Sequence, residues 1–262
     1  MTDATRRDVL SLLAGAPLLA AGIEPAAAAK VALIARLIDE SRALPHVSQR
    51  MDYISHALLG VAYQANTLIG GPKHPERFVV RDDAFDCVTF CEVVLAAAVA
   101  HDLAEFEASL RRIRYDHGNV QWDQRNHYFA EWSKRNIENK ICQPVPIEPS
   151  VVIDKIVNWH RPLGKRHVSI MAIPKATLLE RVKLLAPGDI IGFASRRSDL
   201  DYFHTGLVAF SKTGALLLRH ASQSRGRVIE EKMAAFVTVN PVKYVSLLRA
   251  AEPEPAKAAG KI

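Results

Sequence analysis

Three cysteines in 262 residues, Cys87, Cys91 and Cys142, are too few and too irregularly spaced for a disulfide scaffold or a zinc site. At most one bridge can form, so at least one thiol stays free. No HExxH pair occurs, which removes the commonest zinc-hydrolase signature. The ten histidines are scattered without ligand spacing, and neither a metal nor another cofactor is expected. Gly70-Gly71-Pro72 lacks a following GK[ST] and reads as a turn. No dinucleotide fingerprint appears either. The net charge of +6 is not gathered into Lys/Arg runs. That argues against a nucleic-acid partner and for diffuse attraction to an anionic one. Past the N-terminal segment, no stretch is apolar and long enough to span a bilayer. The whole chain, 49% hydrophobic and 24% charged, is ordinary for a soluble globular protein. This length can bury a core without staples.

Residues 1–29 read as an export signal. Arg6-Arg7 precede a moderately apolar run from Val9 to Ile23, and Ala26–Ala29 supply a small-residue cleavage site. The paired arginines in TRRDVLSLL are of the twin-arginine type. The run is broken by Gly15, Pro17 and Gly22, too short for a retained membrane span. A periplasmic location is expected.

Apolar spacing predicts helices over 31–44, 48–66, 102–114 and 126–139, with a turn at Asp116–Asn119. Residues 69–84 read as a loop. Residues 86–100 are apolar nearly all round, as in a helix buried on most sides. The proline-bearing stretch 142–166 reads as irregular. Short apolar runs at 189–195, 204–210, 215–222 and 242–249, separated by turn residues, read as antiparallel strands. Residues 251–262 read as a disordered tail. Helices first and strands later predict an α+β domain over 30–250.

Cys87 stands where a loop becomes a helix, with Asp83 and Asp86 as candidate caps. Unpaired N–H groups and the positive helix end there are expected to lower its pKa and to hold an oxyanion. His204 opens the strand HTGLVAF and His220 closes LLLRHAS. A turn at Lys212–Gly214 brings these ends together, so one imidazole can act as base and the other orient it. Cys91, one helical turn below Cys87, is expected in the core, and a Cys91–Cys142 bridge is open in an oxidising compartment. The segment QWDQRNHYFAEW is dense in polar and aromatic groups, of the kind that bind sugars and peptide carboxylates. Arg125, His127, Tyr128 and Trp132 are candidate substrate contacts, against the alternative of a helix burying its aromatics. Asp201 and Asp86, close in sequence to His204 and Cys87, join the candidates.

A helix-start cysteine, a strand histidine and a polar residue on the next strand follow the order of NlpC-type, papain-like cysteine hydrolases. The blocks FDCVTFCEVVLAAA, IRYDHGNVQWDQRNHYFAEW, PGDIIGF and LDYFHTGLVAF…LLLRHAS narrow this. Over about Tyr53–Ser222 the chain resembles the N-acetylmuramoyl-L-alanine amidase-like family. The resemblance implies a papain-like α+β fold with Cys87 as nucleophile, His204 as base and His220 as orienting third member. It implies peptidoglycan or muropeptide as substrate, cut between the muramic acid lactyl group and L-Ala. Cys91 departs from the pattern, where an aliphatic residue is expected. Alternatives are the same chemistry on the γ-D-Glu to diamino acid bond, a non-catalytic cell-wall binding module, and a lipid acyltransferase.

Overall fold

The computed structural model describes residues 31–253. The expected export signal and residues 254–262 of the expected tail lie outside them. Two helices open the described chain, α1 (Ala32–Ser41) and α2 (Val47–Ala57). The helix expected over 48–66 stops early, because Gly60 turns at a φ of +89°. The chain then hands its hydrogen bonds to a distant strand, through Gly60 N to Val228 O and Val228 N to Val61 O. Strand β1 (Ala62–Tyr63) follows, then a hairpin, β2 (Ile69–Gly71) and β3 (His74–Arg77), inside the expected loop. Next come β4 (Ala84–Phe85), α3 (Cys87–Val99), α4 (Leu103–Arg114) and α5 (Phe129–Glu138).

The second half is mostly strand: β5 (Cys142–Pro144), β6 (Val151–Val157), β7 (Arg166–Pro174), β8 (Ile190–Ala194), β9 (Tyr202–Phe210), β10 (Leu216–Ser222), β11 (Arg227–Lys232) and β12 (Tyr244–Ala250). Two short helices interrupt them, α6 (Lys175–Glu180) and α7 (Met233–Val239). The ten-stranded sheet runs β4-β1-β11-β10-β9-β8-β12-β7-β6, with β5 also on β12. Its pairs are antiparallel except β1–β4. The stretch 142–166, read as irregular, instead supplies β5, β6 and the start of β7. Pro144 closes β5, the other prolines fall between strands, and none interrupts β6, an edge position that tolerates outward apolar residues such as Val152 and Ile156. The chain is α+β, as expected.

Side chains alternate across each strand, so the sheet carries two cores. Ile190, Leu207 and Ala221 pack with α1–α5. Ile191, Val208 and Leu218 pack with α6 and α7. Helix α3 is buried on nearly every side, as its sequence predicts. Two residues of the expected tail are bonded into the fold: Ala251 N donates to Ile141 O, and Glu252 accepts from Val47 N at the start of α2. Among the described residues no helix is long and apolar enough to cross a membrane.

Candidate active site

Cys87 is the first residue of α3 because Asp86 starts that helix. The Asp86 carboxylate accepts from Val88 N at 3.0 Å and Thr89 N at 2.8 Å, and Thr89 Oγ1 accepts from Asp86 N. This reciprocal cap satisfies the helix end locally. It bears out the cap expected at Asp86, whose carboxylate is thereby engaged within the helix start. Two other expectations are corrected. Asp83 pairs with Arg81 and caps nothing. The N–H groups of Val88 and Thr89 are consumed by the cap, which leaves that of Cys87 itself for an oxyanion. Thr205 on β9 ties strand to helix by donating to Cys87 O at 2.9 Å.

His204 and His220 meet as the paired strand ends predict. His204 Nε2 lies 2.7 Å from His220 Nδ1, and the rings are edge to face at 4.8 Å. Close strand approach allows this. A Cβ on Gly206 would come 2.9 Å from His220 Cβ, so glycine is required there. His220 Nε2 lies 2.9 Å from Glu231 Oε1. Glu231 on β11 was not singled out in the sequence, because RVIEEK carries no apolar run. Phe236 packs against both imidazoles, at 5.4 and 5.5 Å, and Phe193 against His204.

Cys87, His204, His220 and Glu231 line one cavity of about 560 Å³, together with Tyr63, Phe236 and the Ser222–Arg225 turn. No hydrogen bond joins Cys87 to His204 in this state. Burial pushes the Cys87 thiol up to about 11, with the Asp86 charge adding to the rise. The direction is opposite to the lowering expected of a thiol at a helix start. Burial, and then the neighbouring His220, push His204 down to about 3. Both shifts favour the neutral forms, thiol and imidazole. Cys91 is fully buried in the core, as expected, and Cys91 and Cys142 are unbridged.

The other candidates form no part of this cavity. Trp132 is fully buried and stacks on Phe129 at 5.0 Å. Tyr128 is buried, and its hydroxyl accepts from His160 N at 3.0 Å. Arg125 donates to the buried Glu76 at 2.8 Å, and Glu76 also accepts from Tyr115. His127 bonds the Trp122 carbonyl at 2.6 Å, and burial lowers it to about 4. Asp201 is buried and accepts from Ala130 N at 2.8 Å, holding the first turn of α5. These residues were chosen for chemical type. The structure uses them to seat α5 and its approach against the sheet.

The relatives found agree with this architecture. An N-acetylmuramoyl-L-alanine amidase from Bacteroides uniformis superposes with a TM-score of 0.70 at 24% identity, over 79% of this chain and 99% of its own. A protein from Legionella pneumophila superposes with a TM-score of 0.75 at 18% identity, over 87% of this chain and 96% of its own. At these identities the likeness is one of fold. No curated protein matches the chain by sequence. The model of one family, described as N-acetylmuramoyl-L-alanine amidase-like, matches residues 53–243. That span holds Cys87, both paired histidines and Glu231, and the chain therefore belongs to the N-acetylmuramoyl-L-alanine amidase-like family.

Proposed function

We propose that this protein is a cysteine amidase of the bacterial cell wall, cleaving the amide between N-acetylmuramic acid and L-Ala in peptidoglycan or its muropeptides. Family membership supports a cell-wall amidase-like role. The observation that carries cysteine chemistry is the single cavity lined by the helix-start thiol of Cys87 and the His204–His220 pair. In this reading the thiol gives its proton to His204 as the sulfur attacks the carbonyl carbon. The Cys87 N–H holds the oxyanion, with the nearby Tyr63 hydroxyl as a second donor. The imidazolium of His204 returns the proton to the leaving nitrogen, and water then releases the acyl group by the reverse sequence. Arg225 on the cavity wall suits a carboxylate of the peptide stem.

The test is mass spectrometry of products from a defined muropeptide, with Cys87→Ala and His204→Ala beside the wild type. Released peptide beginning at L-Ala supports the amidase reading. A sugar still bearing L-Ala-D-Glu would place the cut at the γ-D-Glu bond. Co-sedimentation with cell walls and no product would indicate a binding module. Full turnover by folded Cys87→Ala would remove the cysteine mechanism. The same reading places the mature protein in the periplasm, through the signal read at residues 1–29. Arg6→Lys with Arg7→Lys should hold it in the cytoplasm, and unchanged periplasmic amounts would point to the general secretory route.

A further inference from the structure

His204 can serve Cys87 only if it presents a bare nitrogen, and its contact with His220 does not secure this. The 2.7 Å contact between His204 Nε2 and His220 Nδ1 can form with either ring donating. If His204 donates, its own Nδ1 keeps a lone pair and can take the thiol proton. If His220 donates, neutral His204 carries its proton on Nδ1, and the nitrogen left for the thiol is blocked. The choice is made one strand further along. His220 lies opposite Ile229 on β11, so Glu231, two residues on, is its diagonal neighbour on the same face. Its Oε1 is 2.9 Å from His220 Nε2. A carboxylate accepts and does not donate, so His220 Nε2 must carry the proton. A neutral imidazole has one N–H, so His220 Nδ1 is bare and His204 must donate to it.

We infer that Glu231 is a positioning residue that selects the tautomer of His220 and, through it, leaves Nδ1 of His204 free to act as the base. This rests on the reading of Cys87 as nucleophile. Phe236 and Phe193 pack on the rings as apolar contacts, and the side-chain acceptor bonded to His220 Nε2 is Glu231. Among the described residues, Glu231 is the one carboxylate lining the cavity, and Arg225 its other charged group. The proton count closes without transfer to Glu231. The thiol proton goes to His204 Nδ1, and the charge that develops on His204 faces the carboxylate across the His220 ring.

Two measurements test this. Long-range proton–nitrogen correlation spectra of the histidine rings read the tautomer directly, whether or not Cys87 is the nucleophile. Wild-type His220 should be protonated at Nε2. Glu231→Gln, whose amide oxygen can still accept, should keep that tautomer and most of kcat, with a shifted pH profile. Glu231→Ala should mix tautomers and lose at least roughly tenfold in kcat, with KM little changed. His220 protonated at Nδ1 in the wild type would overturn the inference. So would wild-type kcat in a folded Glu231→Ala. If that variant does not fold, the wild-type spectrum and Glu231→Gln decide. Turnover by Cys87→Ala would instead sink the nucleophile reading, and the spectra would still judge Glu231.

Discussion

Around Cys87 the polar side chains face a cavity, whereas along Gln121–Trp132 Arg125, His127 and Tyr128 are engaged by other parts of the chain. Both regions hold imidazoles whose basicity burial depresses, His204 in the first and His127 in the second. Each region also holds a carboxylate, Glu231 against His220 and Glu76 against Arg125. The difference lies in what the groups are left free to do. In the first region the Cys87 N–H is spared by the helix cap, and the His204 nitrogen not bound to His220 remains available. In the second, Arg125 is spent on Glu76, Tyr128 on His160, and Trp132 on ring stacking. A perturbed histidine in a polar cluster is therefore a weak sign of catalysis unless its remaining atoms open onto space.

The sharpest way to break this contrast is a pair of substitutions. Cys87→Ala should abolish turnover, by a factor of at least roughly a thousand, while thermal unfolding stays close to wild type. Trp132→Ala should do the opposite. Removal of a fully buried indole should cost about 3–5 kcal/mol in denaturant unfolding. The fraction that remains folded should keep its turnover. A stable but inactive Trp132→Ala would move that residue back to the substrate.

Arg125→Met comes next. It strands the Glu76 carboxylate, whose side chain is 1% exposed, with Tyr115 as its remaining partner. A loss of about 3 kcal/mol is expected, since a buried charge without its counter-ion is poorly solvated. Binding of a muropeptide by the folded enzyme should not change. A large rise in KM with unchanged stability would show that Arg125 grips substrate instead.

pH tests the two histidines on equal terms. Each has a folded pKa below its ordinary value of 6.5, to about 3 for His204 and about 4 for His127. As pH falls below 6.5 the unfolded chain takes protons that the folded chain refuses, so stability falls. The loss levels off once the folded histidine also protonates, near pH 4 for His127 and nearer 3 for His204. Each contributes a slope of up to about 1.4 kcal/mol per pH unit. Unfolding titrations of His127→Gln and His204→Gln should each be shallower than wild type in their own window. Equal slopes in all three proteins would mean that burial does not set these pKa values. The smallest effect is expected for Asp86→Ala, about 1 kcal/mol from the lost cap. Its Val88 and Thr89 N–H groups would then be freed, so Cys87 should alkylate faster at a given pH. Slower alkylation would assign Asp86 to the chemistry.

Much of the site was legible because its signals are local. Asp86, Cys87 and the apolar run after them specify a helix start within a few residues, and that start is where the thiol stands. The meeting of His204 and His220 follows from two apolar runs and the turn between them. Glu231 was not legible. Its strand is charged, and its identity as a strand depends on pairing with β10 and on the early end of α2 at Gly60. The role of Gln121–Trp132 was open for a related reason. An arginine, a tyrosine and a tryptophan in one segment fit either a binding surface or a packed one, and the arbiters, Glu76, His160 and Phe129, lie partly outside that segment.

By itself the sequence determined the helix that carries Cys87 and the hairpin that joins the two histidines, because each arises from interactions between near neighbours along the chain. Only the tertiary structure decided which polar groups remain unspent. That is settled by whether a partner from elsewhere in the chain reaches a group first. Glu76 reaches Arg125, Ala130 N reaches Asp201, and Glu231 reaches the far nitrogen of His220, while the nitrogen of His204 turned from His220 meets no partner among the described residues.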